Sequence, residues 1–153
     1  MSLAQDIDVL RRVPLFAGLA DEPLRLLAFS GERVSLVDGA PALAAGVAPD
    51  GAHVVLSGFV RVTDPLRRRR PEDDGARLVP GSIVNEAALV AEIEHPLTIR
   101  ADGPCELLHL RRAVFRRLLT EFPDVAMRLH AEMTARFVAF ADDLARIGAR
   151  LDE

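Results

Sequence analysis

This sequence predicts a mainly β domain, a sandwich or β-roll, with short helices before it and a long helix after it. Three observations predict it. Between Glu32 and Leu110, seven apolar stretches (33–37, 41–44, 53–56, 59–63, 76–79, 97–101 and 106–110) are separated by Gly, Pro and Asp, the punctuation of short strands. Helical patterning lies outside that region, save for one short run at 85–91. The chain has 153 residues, 50% of them hydrophobic, enough for one proper core but too few for a second. The expectation is a single domain over 1–153, with helices in 1–31, the β-region in 32–110 and C-terminal helices in 111–153.

At the N-terminus, 6–12 and 21–29 have the pattern of two short helices around the turn Pro14-Leu-Phe-Ala-Gly-Leu19. Asp21 is placed to cap the second, and Pro23 sits early enough for its missing N–H to be tolerated. In the β-region, HVVLSGFVRVT (53–63) puts Gly58 between two strands, where a tight bend or a close backbone approach needs no side chain. Gly39, Gly46 and Gly51 mark neighbouring turns. The run DPLRRRRPEDDG (64–75) carries four arginines answered at once by Glu72, Asp73 and Asp74. A balanced run of this kind reads as a solvated hairpin tip; the alternative is that one of its arginines reaches a ligand pocket.

Residues 111–122 are a helix candidate, and Pro123 followed by Asp124 starts a second, longer one. From there Met133, Phe137, Phe140, Leu144, Ile147 and Leu151 recur at spacings of 4, 3, 4, 3 and 4, the repeat of a coiled-coil seam. This predicts a homodimer through the helix, with Ala141 and Ala145 allowing close approach. The plainer reading is a stripe that covers its own barrel.

One stretch does not read as scaffold: PGSIVNEAALVAEIEHPLTIRA (80–101). Pro80-Gly81 is a turn, and 85–91 has the composition of a short helix with Asn85 as a capping side chain and Glu86 in its first turn. His95-Pro96 ends it, because a residue before proline is pushed out of the helical region. Residues 97–101 then alternate like a half-buried strand. A helix of two turns does not persist alone, so strands must clamp it. Free N–H groups with a carboxylate beside them suit a ligand that is anionic at one end and carries hydroxyls at the other. The plainer reading is a packed connection with Glu86 in solvent.

The run resembles the phosphate-binding cassette of the cyclic nucleotide-binding domains, as in regulators of the catabolite activator and FNR type, protein kinase regulatory subunits and cyclic-nucleotide-gated channels. Glu86, Ala88, Leu89, Thr98 and Ala101 fall on matching positions, and Ile99 stands for a valine. The resemblance continues on both sides, in VPLF (13–16) and in LSGFVRV (56–62). It implies a double-stranded β-helix, a jelly-roll-like β-roll of about eight strands with short N-terminal helices and a long C-terminal helix. It also implies a site made of Asn85, Glu86, Ala87, Ala88, His95, Pro96, Leu97 and Thr98, with Glu86 accepting from a ribose 2′-hydroxyl. No catalytic residue, metal ligand or cofactor is implied beyond a cyclic nucleotide or another small anionic ligand.

Three positions depart from the family pattern. Asn85 stands where glycine is expected, His95 where an arginine grips the cyclic phosphate, and Pro96-Leu97 where two small residues are expected. Arginine offers a permanently charged fork matched to two phosphate oxygens, whereas histidine offers one or two donors and is mostly neutral near pH 7. Losing a charge-assisted bond to a buried anion costs about 1.5–3 kcal/mol, a factor of roughly ten to a hundred in affinity. Pro96 also removes a backbone N–H. Asn85 is the mildest change, since asparagine tolerates positive φ. The expectation is a cyclic nucleotide-binding fold with a degenerate phosphate site; the alternative is a functional sensor subunit for cyclic AMP or cyclic GMP.

Composition narrows the function classes. The net charge of −4 provides no general attraction to nucleic acid or to an anionic membrane. All 19 basic residues are arginine, which fits a GC-rich coding bias. Cys105 is the one cysteine, so an internal disulfide and a four-thiolate iron–sulfur cluster are excluded. There is no run of 18 apolar residues and no apolar leader, so a cytoplasmic, non-membrane protein is expected. No residues after the long helix could form a recognition helix, so direct DNA binding is not expected unless the chain is part of a longer transcriptional regulator. A cupin-like metal enzyme needs a close His-x-His pair, and His53, His95, His109 and His130 do not provide one. Nor is there a nucleophile elbow or P-loop.

Overall fold

The computed structural model describes residues 2–44, 46–63, 77–94, 97–132 and 134–135. Two helices, α1 (Leu3–Arg12) and α2 (Asp21–Ser30), precede six strands: β1 (Glu32–Leu36), β2 (Pro41–Leu43), β3 (Gly51–Thr63), β4 (Arg77–Leu78), β5 (Ile83–Val84) and β6 (Thr98–Arg111). A four-residue 3-10 helix, Glu86–Leu89, sits between β5 and β6. Helix α3 (Arg112–Glu121) leaves β6 without a break, and residues 123–132 are again helical. The mainly β, jelly-roll-like architecture is the one expected.

The scaffold is the antiparallel pair β3–β6, from Gly51↔Arg111 at one end to Thr63↔Thr98 at the other, with register shifts between Val55 and Phe59. On one side of those shifts β1 adds to β6 and β5 to β3; on the other, β2 adds to β6 and β4 to β3. Each long strand therefore belongs to both ends of the roll. This is why six strands occur among the described residues where about eight were expected. The stretches 53–56 and 59–63 are one strand, as are 97–101 and 106–110, and β5 was not expected.

Gly58 makes that continuity possible. It has φ 75°, and a Cβ there would stand 2.4 Å from the carbonyl oxygen of Pro104 and 2.8 Å from Cys105 Cα. Only glycine accepts both the left-handed conformation and the approach of β6. A loop on the facing strand is tied by a side chain, since Asp38 accepts from the backbone N–H of Gly103 at 2.8 Å.

The run His53-Val-Val-Leu56 is apolar on both faces because β3 is covered on both. Val54 and Leu56 join Leu108 and Leu110 against Leu10, Phe16, Leu24 and Leu27 of the N-terminal segment and Phe115 and Leu118 of α3. Val55 turns into the roll with Leu43, Val60, Val84, Ile99, Cys105 and Leu107. Cys105 is the buried structural thiol expected, and burial raises its pKa.

Two helix starts differ from expectation. Helix α1 begins at Leu3 and not at residue 6, because Ser2 and Gln5 form a reciprocal capping box. Asp21 does not cap α2. Ala20 holds that position without a side-chain bond, and Asp21, one residue inside, pairs with Arg11. The first helix is anchored by Asp6, a buried carboxylate held by Arg33 of β1, which also reaches Glu106 at 3.0 Å. The helical stretch 123–132 is stapled to the N-terminal turn by Arg128, which donates to the carbonyls of Gly18 at 2.8 Å and Ala17 at 3.0 Å.

Candidate functional site

The cassette is built outward from β3. Strand β5 pairs with β3 as Val54↔Ile83 and His53↔Val84, and the preceding turn is locked by Gly81 N donating to Val55 O at 2.9 Å and Val55 N donating to Ser82 O at 3.0 Å. The chain must then leave the sheet sharply, and Asn85 does this with φ 63° and ψ 45°. Glu86 opens the 3-10 helix immediately after it. Asn85 is the one non-glycine residue with positive φ among those described, at the position where the family pattern has glycine. It does not serve as the expected capping side chain: no cap bond is made, and its Nδ2 is buried without a partner.

This predicts a gain on simplification. Asn85→Gly should raise stability by about 1 kcal/mol, because relief of the left-handed strain and of the orphaned donor outweighs the extra freedom of an unfolded glycine. A urea unfolding midpoint that falls in the variant would contradict this.

The other expected site residues divide between two places. Glu86 is half-buried, Ala87 exposed and Ala88 fully buried on one short turn, whose Leu89 is fully buried in the helix-side core. Thr98 lies opposite Thr63 at the start of β6, where the Thr63 hydroxyl donates to the Thr98 carbonyl at 3.3 Å. Leu97 is half-buried beside it. Thr98 therefore pairs with the far half of β3, beyond its bend. His95 and Pro96 lie outside the described residues, as do Met133, Phe137, Phe140, Leu144, Ile147 and Leu151 of the expected seam and the arginine run at 67–70.

Arg112, which sequence reasoning passed over, holds the cassette in place. It is the first residue of α3. Its Nε donates to Ala88 O at 2.7 Å, and its Nη2 donates to Ala91 O at 2.9 Å and to Pro49 O at 3.2 Å. The carbonyls at the end of a short helix lack intrahelical partners and carry its negative end, so a guanidinium is the natural partner. No sequence spacing could have shown this, because the three acceptors are main-chain atoms of two other loops.

A second unexpected meeting is that of His53 and His109. They are cross-strand partners in β3 and β6, with ring centroids 4.5 Å apart and planes within 8° of parallel. His109 Nε2 lies 2.8 Å from Asp50 Oδ1 and its Nδ1 3.9 Å from Glu32 Oε2. The Asp50 approach is close, but it is not aligned as a hydrogen bond. Burial first, and the neighbouring imidazole second, lower the pKa of His53 to about 4, against a raising effect of Asp50. Among the described residues no cluster of His, Cys, Asp and Glu has metal-holding geometry, and no helix is long and apolar enough to cross a membrane.

With this geometry in place, the comparisons with known proteins decide the family. Residues 33–122 match the family model of the cyclic nucleotide-binding domain. The chain belongs to that family. It is 32% identical to the catabolite activator protein of Thermus thermophilus, with a TM-score of 0.69 over 84% of this chain and 60% of that one. It is 29% identical to the N-terminal domain of a Streptomyces coelicolor A3(2) transcriptional regulator, with a TM-score of 0.77 over 88% of this chain and 93% of that one. It is also 33% identical over 119 residues to the cGMP-dependent protein kinase isozyme 1 of Drosophila melanogaster. This chain covers 76% of its own length in that match but spans only 16% of the kinase, and 8% of the Neurospora crassa lysophospholipase nte1 that it also resembles. The chain is thus a cyclic nucleotide-binding domain with the fold of the sensor region of such regulators.

Proposed function

We propose that this domain is a ligand sensor whose cassette keeps the ribose-binding carboxylate, Glu86, and has lost the strong phosphate grip through His95. The observation that carries the reading is the Asn85–Glu86 turn. A residue in the left-handed region swings the chain off β5, and the family's acid follows it on a half-buried helical turn within the matched region. Such a carboxylate accepts from a vicinal hydroxyl of a cyclic nucleotide. The imidazole of His95 supplies one or two hydrogen bonds where a guanidinium would supply a charged fork. Pro96 withholds a main-chain donor at the next residue. The chain contains no Trp or Tyr, so a purine would stack on phenylalanine or arginine. The sensor would report its state to a second copy through the seam Met133, Phe137, Phe140, Leu144, Ile147 and Leu151.

Calorimetric titration of the wild-type protein with cyclic AMP and cyclic GMP tests the reading. Dissociation constants weaker than about 1 μM are expected, because the lost charge-assisted contact is worth roughly a factor of ten to a hundred. A micromolar or tighter constant for either nucleotide would overturn the weakened grip and favour a fully competent sensor.

A further inference from the structure

We propose that Arg112 is a positioning residue that makes the cassette and helix α3 move as one body, so that occupancy at Glu86 is felt in α3; the second half of this rests on the ligand reading given above. One guanidinium ties three segments together. It bonds to the carbonyls of Ala88 and Ala91 in the cassette and of Pro49 in the loop before β3, while its own backbone N–H donates to Asp50 O at 2.7 Å. Arg112 stands where β6 becomes α3, so a displacement of the Glu86–Leu89 turn pulls on the first turn of that helix. The turn itself is short. It spans four residues, its local bonds are 3.1 Å from Ala88 N to Asn85 O, 3.2 Å from Val90 N to Ala87 O and 3.1 Å from Ala91 N to Ala87 O, and isolated turns of this length have little stability of their own. Leu89 anchors the turn by packing, but packing does not fix the rotation of the turn as directed bonds do. The planar fork of arginine reaches carbonyls in fixed, separate directions; the compact ammonium of lysine spans them less well and an apolar side chain not at all.

Coupling between two sites is reciprocal, so the clamp has consequences with and without ligand. Amide hydrogen exchange on the full chain reads both. In the free protein, Arg112→Met should speed exchange at 86–91 by about tenfold or more while the central β3 amides of Val54 and Val60 stay unchanged, and Arg112→Lys should give a smaller acceleration. Unchanged exchange at 86–91 in Arg112→Met, or equal acceleration throughout the chain, would overturn the clamp. With millimolar cyclic AMP, the wild type should gain protection at both 86–91 and 112–121. Arg112→Met should gain it at 86–91 alone, and Arg112→Lys should retain part of the protection at 112–121. A simple structural brace would not move this ligand-dependent difference, and equal gains at both segments in Arg112→Met would overturn the coupling. No response of the wild type to cyclic AMP would count against the ligand reading of the site, and the comparison in the free protein would still decide whether Arg112 is a clamp.

Discussion

Gly58→Ala should cost on the order of 4 kcal/mol, since left-handed strain and an unrelieved core contact each cost roughly 1–3 kcal/mol. At φ 75° the backbone conformation is costly for alanine. The new Cβ would also meet the Pro104 carbonyl oxygen at 2.4 Å and Cys105 Cα at 2.8 Å. Both obstacles are main-chain atoms of β6, and they cannot rotate aside like the end of a long side chain. The two longest strands would have to separate where both halves of the roll depend on them. Because the expected loss approaches the whole stability of a small domain, about 5–15 kcal/mol, the variant should unfold at much lower urea concentration. A midpoint within experimental error of the wild type would mean that the bend between Val55 and Phe59 relaxes freely.

Acid should weaken the fold through His53. With a folded pKa of about 4 against the ordinary 6.5 of histidine, the native state holds this imidazole neutral while the unfolded chain takes up a proton. Protonation therefore favours unfolding. The contribution is fully present above pH 6.5 and declines as pH falls towards 4; the difference of 2.5 pH units corresponds to about 3 kcal/mol. The geometry explains the direction. Burial acts first and the stacked imidazole of His109 second, while Asp50, whose carboxylate lies against His109, offsets them only in part. Urea titrations at a series of pH values should show the wild type losing about 3 kcal/mol more than His53→Phe between pH 6.5 and 4. Parallel curves for the two proteins would contradict it.

The fold was legible in the sequence because its punctuation is local. Gly58, Pro80-Gly81 and the alternating stretches between them report bends and strands to any reader of short-range pattern. Gly58 was recognised as a bend, but a bend that keeps the ladder intact and a loop that ends a strand look alike in sequence. The stretches either side were therefore counted separately. The capping box of Ser2 and Gln5 lies ahead of the apolar spacing that points to a start at residue 6, so hydrophobic periodicity alone places the helix too late. At the site, Asn85 and Glu86 were found by the order of residues along one turn. The expected capping role of Asn85 failed for a physical reason: a residue in the left-handed region does not aim its side chain at the helix it precedes.

What remained hidden is long-range and directed at the main chain. Histidines 56 residues apart in the chain, His53 and His109, meet only because β3 and β6 pair. Asp6, read simply as the start of a helix, is buried because Arg33 of the sheet comes to it. Arg112 recognises carbonyl oxygens, which every residue possesses and no sequence distinguishes.

The account stands most directly on the exchange of an arginine for His95, and a pair of cyclic AMP titrations tests it. If Glu86 and the turn behind Asn85 still form the ribose end of a nucleotide site, His95→Arg should tighten binding by about tenfold or more over the wild type, and Glu86→Ala added to that variant should abolish it. Equal affinity in wild type and His95→Arg, or binding that survives the loss of the Glu86 carboxylate, would contradict the assignment of the site.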